Sequence, residues 1–183
     1  MPHYAYLILI AGWALWCVPF FVVQRRSAEA TNQVDRRARW GMFLQGAAYA
    51  LLWQGKFWEQ PLPAWRLVFA GGWLVLASAL SWSGARALGR QWRIDAALSA
   101  EHQLVMAGPY RIIRHPIYAS MMCLLLGTGL MLTPWRLFLL ALAFFLAGTE
   151  IRVRIEERLL AARFGESFRD YQRSVPAYIP LVR

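Results

Sequence analysis

Apolar runs long enough to cross a lipid bilayer constrain this chain more than any other feature. Residues 4–23 carry no charge, and at 1.5 Å of rise per residue a helix over them spans the roughly 30 Å hydrocarbon layer. With no basic stretch before it and no small-residue cleavage site after it, this run is expected as a mature span rather than a leader. Residues 40–57 and 65–82 are two more candidates, each opening on a tryptophan of the kind that settles at headgroup level. Lys56 and Arg66 stand where long basic side chains reach for water. After Trp82 come Gly84, Arg86, Gly89, Arg90 and Arg93, so the stretch before Ile117 is expected outside the hydrocarbon.

Residues 117–132 and 135–149 are apolar but short, and only Thr133 and Pro134 separate them. They predict a tight helical hairpin. Beyond Thr149 the sequence is free of Gly and Pro and keeps Ile151, Ile155, Leu159 and Leu160 at helical spacing, so the second helix is expected to run on as an amphipathic helix to Phe164 and to end at Gly165. The fold expected is all-α: a polytopic membrane protein of about five transmembrane helices in one domain. Residues 1–83 form its three-helix part, and residues 84–183 carry the hairpin and the polar segments.

Composition agrees. Of 183 residues 58% are hydrophobic and ten are tryptophan, well above the soluble norm. A net charge of +10 invites a nucleic-acid reading, but the arginines sit between apolar runs rather than in one stripe. Topology accounts for them better. Arg25, Arg26, Arg36, Arg37 and Arg39 follow the first span, and the other arginine-rich stretches are residues 84–116 and 150–183. Placing these three on the cytoplasmic side puts the N-terminus out and the C-terminus in. Arginine in place of lysine hints at a bacterial source, hence an inner membrane. Cys17 and Cys123 both fall in apolar runs and read as packing residues, and the three histidines lack the spacing of a metal site.

The polar residues concentrate in two stretches, 101–118 and 150–171, which bracket the hairpin, so folding it brings them together. The first contains His102, Gln103, Leu104 and Val105, then Gly108-Pro109-Tyr110, where Gly-Pro marks a turn, then Arg114-His115-Pro116-Ile117-Tyr118, where Pro116 suits the first turn of a helix. The second places Arg152 and Glu156 four apart on one helical face, with Glu157 beside them. Such groups also serve as interfacial anchors or solvated i,i+4 pairs, and neither role explains their order. Gly127-Thr128-Gly129 lies inside a span, where small residues allow close helix packing, and is not a nucleotide loop.

Taken together, the His102 to Val105 stretch, Gly-Pro-Tyr110-Arg, Arg-His115-Pro-Ile-Tyr118, Glu156-Glu157, Phe164-Gly165, Tyr171, Val175 and Ile179-Pro180 resemble the isoprenylcysteine carboxyl methyltransferase and phospholipid methyltransferase superfamily of integral membrane enzymes. The resemblance covers roughly the C-terminal half. It implies an S-adenosyl-L-methionine-dependent methyltransferase whose cofactor sits in a cytoplasm-facing pocket closed by the C-terminal segment. By analogy, His102, Gln103, Leu104, Val105, Tyr110, His115, Pro116, Ile117, Tyr118 and Glu156 contact the cofactor, and Arg152 faces a lipophilic small-molecule or lipid acceptor as the catalytic candidate. One departure is Asp95, where relatives carry a neutral amide. The residue chemistry agrees: such a cofactor needs cationic or N–H donors, a carboxylate acceptor and aromatic walls. The acceptor stays open among a prenylated cysteine carboxylate, a phospholipid amine, a small thiol and an isoprenoid acid. Two competing readings are an NADPH-dependent membrane reductase of the sterol reductase type and a non-enzymatic membrane assembly protein.

Overall fold

In the computed structural model the described residues are 2–24, 33–34, 36–55, 61–89, 97–98 and 103–178. They form six helices: α1 (His3–Gln24), α2 (Ala38–Leu52), α3 (Ala64–Leu88), α4 (Pro116–Leu132), α5 (Trp135–Phe164) and α6 (Glu166–Ser174). A 3₁₀ turn, Gly108–Arg111, precedes α4. A two-residue antiparallel bridge pairs β1 (Gln33–Val34) with β2 (Ala97–Leu98). The all-α expectation holds, and α1, α4 and α5 fall where the apolar runs put them, with Pro116 opening α4. Gly165 ends α5 at a φ of 56°, a left-handed turn that glycine adopts without Cβ strain. The short helix α6 beyond it was not expected.

Two boundaries differ from the sequence expectation. Helix α2 stops at Leu52 rather than reaching residue 57, because the tip between α4 and α5 occupies the space ahead of it. Thr133 Oγ1 donates to the Leu52 carbonyl at 2.7 Å, and a Cβ on Gly55 would stand 2.6 Å from Pro134 Cδ. Helix α3 runs six residues past Trp82, so the expected break there is corrected. Gly84 sits inside the helix because the first turn of α4 lies on it, a Cβ there being 2.8 Å from Ile117 Cδ1. Arg86 folds back over the Trp82 ring, 5.2 Å from its centroid.

The hairpin is tight at its tip, but its helices do not pair along their length. α4 packs on α3 and α5 packs on α2, while Ala48, Leu52, Leu125, Ala141 and Phe145 form one buried cluster that joins α2, α4 and α5. Small residues make these approaches possible. Leu74 of α3 fills the space over Gly12 of α1 and Gly127 of α4, so the Gly127-Thr-Gly129 segment is packing material. Backbones meet where α2 crosses α5: a Cβ on Gly148 would lie 2.6 Å from the Gly41 carbonyl oxygen. Inside the apolar layers the polar side chains pair across helices, Trp13 Nε1 with Thr128 Oγ1 at 3.1 Å, Trp16 Nε1 with Ser120 Oγ at 3.0 Å and Gln45 Nε2 with Thr149 Oγ1 at 2.8 Å. Cys123 is buried in the α1–α3–α4 core.

Among the described residues two helices are long and apolar enough to cross a membrane, α1 over His3–Val22 and α3 over Ala64–Leu88, and α4 is apolar but shorter. Large apolar side chains also stand exposed on α1 (Leu7, Ile10, Phe21), α2 (Trp40, Phe43), α3 (Val68, Val75) and α5 (Leu139, Leu146). An apolar exterior on four helices marks an interaction surface. Arg66 bonds the Thr133 carbonyl at 3.2 Å and so ties α3 to the α4–α5 tip.

Candidate functional site

The ends of α4 and α5 bring the two polar stretches into contact. Gly108, at a φ of 61°, starts the 3₁₀ turn that delivers Tyr110, and the chain then enters α4 through Arg114 and His115. Both are held by their backbones: Arg114 N–H donates to the Pro176 carbonyl at 2.8 Å and His115 N–H to Ala177 at 3.0 Å. The C-terminal segment after α6 is thereby docked on the entrance to α4. The Arg114 guanidinium reinforces it, donating to the carbonyls of Gln172, at 3.1 Å, and Val175.

Adjacent carboxylates on a helix diverge by about 100°, and Glu156 and Glu157 use that divergence. The buried His115 ring sits between them, with Nε2 3.0 Å from Glu157 Oε1 and Nδ1 3.9 Å from Glu156 Oε2. Glu157 is the hub of the structural side: Arg114 Nε reaches it at 2.9 Å and Gln172 Nε2 at 2.9 Å. Burial pushes the Glu157 carboxyl up, but the bond and charge of His115 together with those of Arg114 outweigh it, and the group ends below the ordinary carboxylate value. Glu156 faces the other way, accepting from the Tyr118 hydroxyl and lying 3.8 Å from Arg152 Nη2. Arg152 is buried, and its guanidinium rests over the Tyr118 ring at 5.4 Å, a cation–π contact.

Tyrosines wall the cluster. Tyr178 lies 5.9 Å from the His115 ring, and its hydroxyl donates to Glu150 at 3.3 Å. The Tyr171 hydroxyl donates to the Tyr110 carbonyl. Burial, followed by the charge of Glu156, holds the Tyr110 hydroxyl well above its ordinary value. Burial also raises Tyr178, with Glu150 adding to it, and pushes Tyr171 up to about 12. All three stay neutral at physiological pH.

Of the residues expected from sequence, Tyr110, His115, Tyr118, Arg152 and Glu156 come together in this cluster. Pro116 is buried at the base of α4, and Ile117 turns its side chain toward Gly84 of α3 and the Phe20–Ala85 cluster. Gln103 is exposed and Leu104 and Val105 are half-buried, upstream of the 3₁₀ turn. His102, Asp95 and Lys56 lie outside the described residues. Sequence reasoning left Arg114, Glu157, Gln172 and Tyr178 out of the site. The signal for the first two was adjacency, each standing next to a chosen residue; Gln172 and Tyr178 carried none.

The family model for phospholipid methyltransferases matches residues 65–167, more than half of the chain, from α3 to the start of α6. The chain belongs to the phospholipid methyltransferase family. Relatives named isoprenylcysteine methyltransferases agree with the resemblance read from the motifs. One, a protein-S-isoprenylcysteine O-methyltransferase of Schizosaccharomyces pombe, is 29% identical over 164 residues, covering 80% of this chain and 68% of that protein. A cobalt-zinc-cadmium resistance protein of Cupriavidus metallidurans is 37% identical over 95 residues, 51% of this chain and 43% of the relative. A methanethiol S-methyltransferase of Bradyrhizobium diazoefficiens is 34% identical over 71 residues, 39% and 26% respectively. The chain thus spans less than half the length of the second and last of these. Within the family match fall Tyr110, His115, Tyr118, Arg152 and Glu156, while Tyr171, Gln172 and Tyr178 lie beyond it.

Proposed function

We propose that this protein is an S-adenosylmethionine-dependent methyltransferase that acts on a lipophilic acceptor at the cytoplasmic face of a bacterial inner membrane. One observation carries the reading: His115, Tyr118 and Glu156, from opposite ends of the hairpin, meet in a single polar cluster inside the family-matched region, with Tyr118 bonded to Glu156 and the His115 ring 3.9 Å from it. The donor set suits this cofactor. Glu156 offers a carboxylate to ribose hydroxyls or to the ammonium group, His115 its Nδ1, the ring nitrogen not bonded to Glu157, and Tyr110 and Tyr118 aromatic surface. When bound, the cofactor supplies an electrophilic methyl group on a sulfonium. The residues around it hold and align the reactants, because an in-line displacement depends on near-attack geometry more than on a strong base.

Arg152 is the acceptor-facing group in this reading. Its planar fork matches a carboxylate or phosphate, and an arginine that deep beside apolar helices is a functional candidate by default. Glu157 and Arg114 position: together they fix His115 and the C-terminal segment. The membrane arrangement belongs to the same proposal. Five spans with the N-terminus outside put all three arginine-rich stretches in the cytoplasm, and the exposed apolar side chains on α1, α2, α3 and α5 support it.

The test is direct. Purified protein is incubated with methyl-labelled S-adenosylmethionine and three probes: an S-prenylated N-acylcysteine, phosphatidylethanolamine and a long-chain alkanethiol. A labelled product from one of them is expected. No labelled product, combined with calorimetric binding of NADPH and none of S-adenosylmethionine, would transfer the site to the reductase class.

A further inference from the structure

Helix α2 carries none of the candidate site residues, yet it packs directly against one of them. A Cβ built on Gly41 would lie 2.5 Å from Arg152 Cγ and 3.3 Å from Cδ, so the Arg152 stem occupies the space a side chain at position 41 would need. The guanidinium beyond that stem lies over Tyr118 and beside Glu156. One turn further along α2, Gln45 Nε2 donates to Thr149 Oγ1 at 2.8 Å in a buried bond. Thr149 precedes Arg152 by nearly one turn of α5, so this bond holds the two helices in register at the point where the arginine leaves the interface. The same Cβ would stand 2.6 Å from the Gly148 carbonyl oxygen, so a side chain at position 41 would load the α2–α5 backbone crossing as well as the Arg152 stem.

We propose that Gly41 is a positioning residue for the acceptor side of the site: the missing side chain lets the Arg152 stem lie flat across α2 and thereby sets where its guanidinium stands. This rests on the reading of Arg152 as the acceptor-facing group. The α2 helix is then part of the specificity apparatus. A side chain at position 41 displaces the Arg152 stem, 2.5 Å away, while it also loads the backbone crossing at Gly148, and the two effects are separated by the Gly148 control. Packed interiors transmit such displacements rather than absorbing them.

Gly148 provides a matched control. A Cβ there meets the Gly41 carbonyl at 2.6 Å, then Leu44 and Gln45, so its three nearest neighbours load the same crossing and none of them is Arg152. Gly41→Ala, Gly148→Ala and Arg152→Ala, and the double variants that join each glycine change to Arg152→Ala, are compared with wild type by melting temperature and by KM for cofactor and for whichever of the three acceptor probes the wild type methylates. Both alanines should lower the melting temperature. Gly41→Ala alone should raise the acceptor KM about tenfold or more with the cofactor KM held within about twofold, since small misplacements of a clamping group carry large kinetic costs. With the stem removed by Arg152→Ala, adding Gly41→Ala should leave the acceptor KM where Arg152→Ala put it.

Equal KM values for the two alanine variants, or the same rise in the Arg152→Ala background, would overturn the assignment. Should Gly41→Ala fail to fold, it must fold more readily in the Arg152→Ala chain, and equal failure also overturns it. If the wild type methylates none of the probes and does not bind S-adenosylmethionine, the methyltransferase reading falls with the acceptor role. The melting-temperature cycle between Gly41→Ala and Arg152→Ala then still reports whether the two residues are coupled.

Discussion

The interior of the helical layers and the cluster at the mouths of α4 and α5 solve the problem of burying polar groups in opposite ways. In the layers the bonds between side chains are single pairs: Trp13 with Thr128, Trp16 with Ser120, Gln45 with Thr149. These pairs are neutral, and they fix how helices sit against one another. In the cluster the groups are charged and shared. Glu157 serves Arg114, His115 and Gln172 at once, and Glu156 stands among Tyr118, His115 and Arg152. A pair can be exchanged for two apolar groups, whereas a shared charge leaves several partners stranded when it goes.

The sharpest way to break this contrast is to delete the shared group. Glu157→Ala strands the Arg114 guanidinium and the His115 ring and frees the C-terminal segment, and should cost about 3 kcal/mol by analogy with half-broken ion pairs; thermal unfolding in detergent micelles measures it. In the layers, Gln45→Ala leaves the Thr149 hydroxyl without its partner and should cost about 1 to 2 kcal/mol, while Gln45→Leu combined with Thr149→Val should fall well below that. If the double apolar variant is the worse of the two, the layers are not built from replaceable pairs.

Acid sharpens the comparison further. The Glu157 carboxyl titrates below its ordinary value near 4.5, so its contribution to stability is fully present above pH 4.5 and is lost as pH falls through the depressed folded-state value. Melting curves of wild type and Glu157→Gln should therefore run parallel from pH 7 down to that point and converge below it. The smallest effect is expected at Gly84. An added methyl there meets only the flexible end of Ile117 at 2.8 Å, and Gly84→Ala also gains helix propensity, so the net change should stay within about 1 kcal/mol.

Much of this architecture was legible in the sequence because apolar runs, Pro116 and Gly165 act locally: each fixes a helix or its end through its own backbone or burial preference. The elements that were misjudged depend on partners distant in sequence. Gly84 reads as a breaker until Ile117 is known to lie on it, and α2 stops at Leu52 because Thr133 and Pro134 of the tip pack against Leu52 and Gly55. The hairpin read as two helices paired with each other, yet α2 and α3 take those places, since short apolar helices with glycines on several faces name no unique neighbour. At the candidate site the residue types were readable and their grouping was not. His115 was visible, but not that its two ring nitrogens divide Glu156 from Glu157, nor that Gln172 completes the second carboxylate from beyond the α5 terminus.

Calorimetric binding of S-adenosylmethionine to wild type, Glu156→Gln and Arg152→Ala tests the division of labour in the cluster most directly. The account predicts binding by wild type, a loss of about tenfold or more in Glu156→Gln as a charge-assisted bond is removed, and near-wild-type affinity in Arg152→Ala. Equal affinity in wild type and Glu156→Gln, or no binding by wild type, would contradict it.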